Sequence, residues 1–281
     1  MARGGKTKWA DVPPGQDSPL NHAVTARDRA SIDMVAAAIR HREVLLAFQP
    51  VVRADRPDIP AFYEGPIRVL DETGRVIPAK DFIDAVEVSE LGRKIDCLAL
   101  DMGLRTLERE PGIRLSINMS ARSIGYPQWM QALKRGLRRD PTLGERLILE
   151  ITERSAMQVP ELVTRFMADL QSRGITFALD DFGAGYTAFR YLRDFYFDII
   201  KIDGQFIRGV HADPDNQVLT RALVAIARQF DMFTVAESVE TAADAAWLAA
   251  NGVDCLQGFH FGAPATRAPW DEAADRRRDT G

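Results

Sequence analysis

Residues 175–185 read ITFALDDFGAG, and this stretch decides the fold. Ile175 to Leu179 is a short apolar run bounded by turn residues, as expected of a strand buried on both faces. It closes on two adjacent acids, Asp180 and Asp181, and then on Gly183 and Gly185, which allow a tight turn. Outward from here the pattern recurs. AFYEGPIRV carries Glu64, RLSINMS carries Asn118, RLILEITE carries Glu150, DIIKID carries Lys201 and Asp203, FTVAESVE carries Glu237 and VDCLQGF carries Gln257. From Asn118 onward, successive polar ends lie between 20 residues (Glu237 to Gln257) and 34 residues (Asp203 to Glu237) apart. Each interval holds one strand and one helix.

The intervening segments have helical spacing. PELVTRFMADLQSRG puts Leu162, Phe166 and Leu170 at four-residue steps and stops on Gly174; DNQVLTRALVAIARQF puts Val218, Leu219, Ala222, Leu223 and Ile226 on one stripe. Two further helical stretches, around DFIDAVEVS and IDCLALDMGLRTLERE, fit between Glu64 and Asn118. Strands alternating with helices predict a parallel sheet, and about seven such units fit a closed α/β barrel. In that architecture the C-terminal strand ends share one rim, where active sites gather.

The chain has 281 residues, with 36 Lys plus Arg against 40 Asp plus Glu, a net charge of −4. That balance argues against a nucleic-acid polymer as partner. No apolar run approaches the ~18 residues of a membrane span, and the positive start MARGGKTKW lacks a following hydrophobic stretch. The reading predicts a cytoplasmic protein without membrane insertion. Cys97 and Cys255 suit neither a disulfide framework nor zinc. Residues 1–26 and 271–281 read as mobile tails around a barrel domain over 27–270.

A single acid after a strand is most often a turn former or helix cap. Here Glu64, Asn118, Glu150, Asp180, Asp181 and Glu237 would bring five carboxylates and one amide to a single rim, where they repel unless a cation neutralises them. An all-oxygen set suits Mg²⁺ or Mn²⁺ rather than zinc. The Asp180–Asp181 pair can serve two ions, the arrangement used for in-line displacement at phosphorus. Lys201 would hold an attacking water or a phosphate oxygen, or else pair with one of the same acids. A rival pattern, Gly183 to Ala188, fits G-x-G-x-x-G/A with Asp203 twenty residues beyond Gly183. Two acids just before the first glycine would repel a pyrophosphate, so the glycines are read as a loop turn.

The same strings resemble the EAL-domain cyclic di-GMP phosphodiesterases. FQPVV, YEGPIR, SINMS, LEITE, DDFGAGYTAF, IIKID, AESVE and QGF follow in order the family's own motifs, from Phe48 to Pro264. The resemblance implies a TIM-barrel-like (β/α)8 fold with the first strand antiparallel, a homodimer, and cleavage of cyclic di-GMP to pGpG with two Mg²⁺ or Mn²⁺ ions. It places Glu64, Asn118, Glu150 and Asp180 on one metal, and Asp180, Asp181 and Glu237 on the other. It puts Lys201 and Gln257 at the water and phosphate, and Gln49, Arg68 and Asp203 on the substrate. Glu153 would support the loop from Asp181 to Ala188. Gly65-Pro66 stands where the family has Ala-Leu, and Pro66 removes a backbone donor. Ala184, Thr187 and Ala188 stand where the family commonly has Thr, Ser and Ser, and Ala263 where a basic residue is frequent. An alternative reading is therefore a catalytically weak or inactive receptor for cyclic di-GMP that signals through a regulatory protein partner.

Overall fold

The computed structural model describes residues 19–185 and 192–271. The chain opens with helix α1 (Pro19–His41), followed by strands β1 (Val44–Leu46), β2 (Gln49–Arg53), β3 (Pro60–Glu64), β4 (Ile67–Leu70) and β5 (Val76–Pro78). Helices α2 (Ile83–Val86) and α3 (Glu90–Arg109) precede β6 (Leu115–Asn118), α4 (Pro127–Arg139) and β7 (Leu147–Thr152). Next come α5 (Glu153–Ala156), α6 (Pro160–Gln171), β8 (Thr176–Phe182), β9 (Ile199–Ile202), α7 (Gly204–Ile207) and α8 (Pro214–Gln229). Strand β10 (Phe233–Ala236), α9 (Ala242–Ala250) and β11 (Cys255–Gln257) complete the series.

Strands β2, β3, β6, β7, β8, β9, β10 and β11 close into a barrel in that order, while β1, β4 and β5 form a small separate sheet. Strand β2 runs antiparallel to both β3 and β11, as expected of the first barrel strand, and the other barrel pairs are parallel. Helix starts follow local chemistry. Ser89 caps α3 by accepting the Leu91 amide, and Asp213 caps α8 ahead of Pro214, whose missing N–H costs nothing at a first helical turn.

Two apolar layers hold the barrel. Between strands and helices lies the main core, with Leu100, Leu149, Phe177 and Ile200 fully buried. Inside the barrel a smaller cluster, Val51, Phe62, Ile148, Ala178, Ile199 and Val235, fills the lumen. Alternation along each strand puts the next inward residue two positions away. Phe62 is thus followed by Glu64, Ile148 by Glu150, Ala178 by Asp180, Ile199 by Lys201 and Val235 by Glu237. On antiparallel β2 the order reverses, and Gln49 precedes Val51 by two.

Three sequence expectations need correction. The tail boundary at 26 falls inside α1, which is helical from Pro19; polar composition did not prevent one continuous helix. On α6 the buried face is Val163, Phe166, Met167 and Leu170, while Leu162 is exposed. On α8 the core takes Thr220, Leu223, Val224 and Ala227, leaving Val218, Leu219 and Ala222 outside. In both helices apolar residues lie on two sides, so spacing alone could not say which side faces the sheet.

Candidate active site

The inward residues just above the lumen cluster meet at the C-terminal rim. Lys201 is paired with Val235 rather than with Glu237, so it starts one inward layer below and rises into the acids. Its buried Nζ lies 2.7 Å from Glu237, 3.0 Å from Glu150, 3.1 Å from Asp180 and 3.3 Å from Glu64. Of the two readings of Lys201 in the sequence, this geometry shows the ion pair, with four acids rather than one. Asn118 donates to Glu64 at 3.0 Å. Gln257 donates to Glu64 and, at 3.0 Å, to Gln49, whose own amide donates to the Gly262 carbonyl.

Asp180 and Asp181 are neighbours and would face opposite sides of a regular strand. A register shift between Leu179 and Phe182 interrupts β8, and Asp181 adopts a left-handed φ of 55°. This irregularity re-aims the second side chain. Carboxylate oxygens of Asp180, Asp181 and Glu237 consequently lie within 4.8 Å of one another. Such left-handed geometry costs a non-glycine residue about 1 kcal/mol or more, and strain of this kind concentrates at functional sites.

Burial pushes the Glu150 carboxyl up to about 8, against the pull of Lys201. Burial also raises Asp181 to about 6, with Asp180 and Asp203 adding repulsion. Glu237 is held well above the carboxylate range, again by burial first. For Glu64, burial is outweighed by Lys201 and by the amides of Gln257 and Asn118, which leave it below its ordinary value. Burial disfavours the Lys201 charge, but the surrounding acids overcome it and raise the ammonium's pKa. One ammonium facing five carboxylates leaves the rim short of positive charge. Among the described residues, Glu150 Oε1 and Gln257 Oε1 are buried acceptors without a hydrogen-bond partner. The donor set therefore fits hard divalent cations.

Glu153 does not continue the strand. Thr152 caps α5, and Glu153, buried in its first turn, turns behind the site and accepts the Gly183 amide at 3.2 Å. Tyr186, Thr187 and Ala188 lie outside the described residues. A cavity of about 640 Å³ opens over the rim, and Gln49, Glu64, Arg68, Asn118, Asp180 and Asp181 line it. Arg68 is half-buried, with one guanidinium nitrogen on the Ile67 carbonyl. Asp203 is not part of that lining. Its carboxylate accepts the Gln205 amide at 2.7 Å and caps α7, because β9 ends before Asp203, which turns the chain into a helix. Sequence reading missed Thr152, Arg154 and Ser155, which also line the cavity; they follow a strand end and carry no motif of their own.

A family model described as EAL domain matches residues 32–264. The chain is 29% identical over 238 residues to the cyclic di-GMP phosphodiesterase PdeR of Escherichia coli K12, covering 81% of this chain and 35% of that protein. It is 27% identical over 247 residues to the cyclic di-GMP phosphodiesterase PdeB of Shewanella oneidensis, covering 86% of this chain and 29% of that one. The chain thus spans about a third of these relatives' length. Among solved structures, a PaMucR phosphodiesterase in complex with c-di-GMP superposes with a TM-score of 0.73 at 27% identity, covering 84% of this chain and 97% of the other. The EAL domain of FimX from Pseudomonas aeruginosa, bound to c-di-GMP, shares the fold with a TM-score of 0.76 at 24% identity, covering 84% and 97%.

Proposed function

Because this chain belongs to the EAL-domain family, we propose that it is a divalent-metal-dependent phosphodiesterase that opens cyclic di-GMP to linear pGpG. The observation that carries this reading is the acid rim around Lys201, with five carboxylates and Asn118 at or beside the ends of five barrel strands, β3, β6, β7, β8 and β10. Its charge closes with two ions. Five carboxylates and one ammonium leave −4, which two divalent cations neutralise. Glu64, Asn118, Glu150 and Asp180 would hold one Mg²⁺ or Mn²⁺, and Asp180, Asp181 and Glu237 the other. When bound, these ions supply a hydroxide at neutral pH and neutralise the phosphoryl oxygens.

The chain's own residues do the rest. Lys201 shifts from pairing acids to fixing the nucleophilic oxygen, and Gln257 orients the same neighbourhood through its free Oε1. Gln49 and Arg68 hold the ligand along the cavity. Water adds to phosphorus, the P–O3′ bond breaks, and the departing oxygen takes up a proton. The Gly65-Pro66 pair does not disturb this arrangement: Gly65 still donates to the Ser116 carbonyl at 2.9 Å, and Pro66 lies between strands, where its own carbonyl accepts the Ala47 amide. The main departure that suggested a receptor without turnover therefore does not favour it.

Among the described residues no helix is long and apolar enough to cross a membrane. A homodimer is part of the same reading, and α8 leaves the apolar residues Val218 and Leu219 exposed. The test is incubation with cyclic di-GMP and Mn²⁺, with chromatography for pGpG, with and without chelator. Hydrolysis lost on chelation and restored by Mn²⁺ or Mg²⁺ supports the proposal, and Ca²⁺ is expected to inhibit. Tight binding with no product would select the receptor instead.

A further inference from the structure

We infer that Arg154 binds the substrate by taking its second phosphate, the one not seated over the acid rim. This rests on the phosphodiesterase reading and names a part of the site that the motifs leave open. The turn carrying Arg154 is pinned from two sides. Thr152 Oγ1 accepts the Ser155 amide at 3.2 Å, Ser155 Oγ accepts the Ala121 amide at 2.8 Å, and Glu153 holds Gly183 from behind. Thr152, Arg154 and Ser155 consequently line the cavity while Glu153 faces away from it.

Arg154 forms no hydrogen bond or ion pair with a described residue. Of the other acids that line the cavity, Asp96 accepts the Ser120 amide and the Ser123 hydroxyl, and Glu87 accepts the Ser120 hydroxyl. A guanidinium without a partner among the described residues, on a rigid turn beside a cavity whose lining carries the carboxylates of Glu64, Asp180 and Asp181, is placed to meet an anion that enters with the ligand. A cyclic dinucleotide carries two phosphodiesters on opposite sides of its ring, and the acid rim with its cations can engage only one. The second needs a donor, and a planar fork of N–H groups matches a phosphate in two-point contact. Arg68, the other arginine of the lining, keeps donors beyond the one on Ile67 and holds the ligand at its own place; Arg154 adds a second guanidinium from the turn after Thr152.

The experiment compares Arg154→Ala, Arg154→Gln and Arg154→Lys with the unaltered chain. Steady-state kinetics on cyclic di-GMP in Mn²⁺ are paired with calorimetric binding of cyclic di-GMP in Ca²⁺ and with hydrolysis of bis(4-nitrophenyl) phosphate, which has a single phosphate. The expected result is a rise of about tenfold in KM and Kd for the Ala and Gln variants, with kcat lowered less than about twofold. The Lys variant should recover part of the loss, and the ratio of kcat/KM for the dinucleotide to that for the single-phosphate substrate should fall about tenfold. Unchanged KM and Kd would overturn the inference, as would an equal loss on both substrates, which would mean that Arg154 acts through the Glu153 turn. If the unaltered chain binds cyclic di-GMP without turnover, the phosphodiesterase reading fails while the Kd comparison still decides Arg154. If the Ala variant does not fold, the Gln and Lys variants supply the answer.

Discussion

At the scale of single residues, Lys201 carries the largest consequence. At the rim its ammonium is the common partner of four acids, whereas in turnover it must serve the nucleophilic oxygen. Lys201→Ala is expected to lower kcat by about a hundredfold or more, as for a group that acts at the transition state, while cyclic di-GMP binding stays measurable by calorimetry. An unchanged kcat would leave Lys201 as an ion-pair partner alone. Glu153 makes a different kind of contribution. It reaches no metal position, yet its bond to the Gly183 amide lies two residues from Asp181. Glu153→Ala should raise the Mn²⁺ concentration needed for half-maximal activity by about tenfold, with the circular dichroism spectrum unchanged. Identical metal titrations would show that the loop needs no such support.

At the scale of elements, the junction of β3 and β4 decides what the Gly65-Pro66 pair costs. A Cβ on Gly65 would meet Ile117 Cδ1 at 3.0 Å, Leu115 Cδ1 at 3.3 Å and the Ser116 backbone oxygen at 3.3 Å, so the neighbours must give by only a few tenths of an ångström. Replacing the pair by Ala-Leu is therefore expected to change kcat/KM by less than about tenfold, near 1.4 kcal/mol in barrier. Strong activation of a silent natural chain by that replacement would overturn the enzyme reading. The packing of α3 against the turn after β6 makes a second prediction. Burial pushes the Asp96 carboxyl up to about 7, although Ser123 and Ser120 both donate to it. The folded form thus holds its proton more tightly than the unfolded form. The stabilisation this gives is complete below the ordinary value of 3.8 and is lost as pH rises toward about 7. Asp96→Asn keeps an acceptor for both serines and removes the charge. Relative to the unaltered chain its stability should rise as pH increases from 3.8 to about 7, as measured by urea unfolding in chelator. A difference independent of pH would place the titration elsewhere.

For the whole molecule, α8 leaves Val218 and Leu219 63% and 46% exposed on a helix whose other face packs on the barrel. If two chains pair there, Val218→Asp with Leu219→Asp should convert a dimer to a monomer in sedimentation velocity while leaving the melting temperature within a few degrees. A dimer that survives both charges would have its interface on another face.

The sequence by itself determined the barrel and most of its rim. Apolar strands that each close on a polar residue, at intervals fit for one helix, required a parallel sheet, and the period of two along a strand put Glu64, Glu150, Asp180 and Glu237 on the inward face above Phe62, Ile148, Ala178 and Val235. These features are local, and local spacing is visible in a string. What only the tertiary structure decided depends on register and closure. The irregularity in β8 turns Asp181 to the same side as Asp180, against the alternation that a string of residues implies. The pairing of Lys201 with Val235 sets the ammonium beneath the acids rather than beside one of them. Asp203 became a helix cap because β9 ends just before it, and the core faces of α6 and α8 were chosen among several apolar stripes by contact with the sheet. Ring closure, register shifts and the choice of a buried face are fixed by neighbours far apart in the chain, so no single segment could announce them.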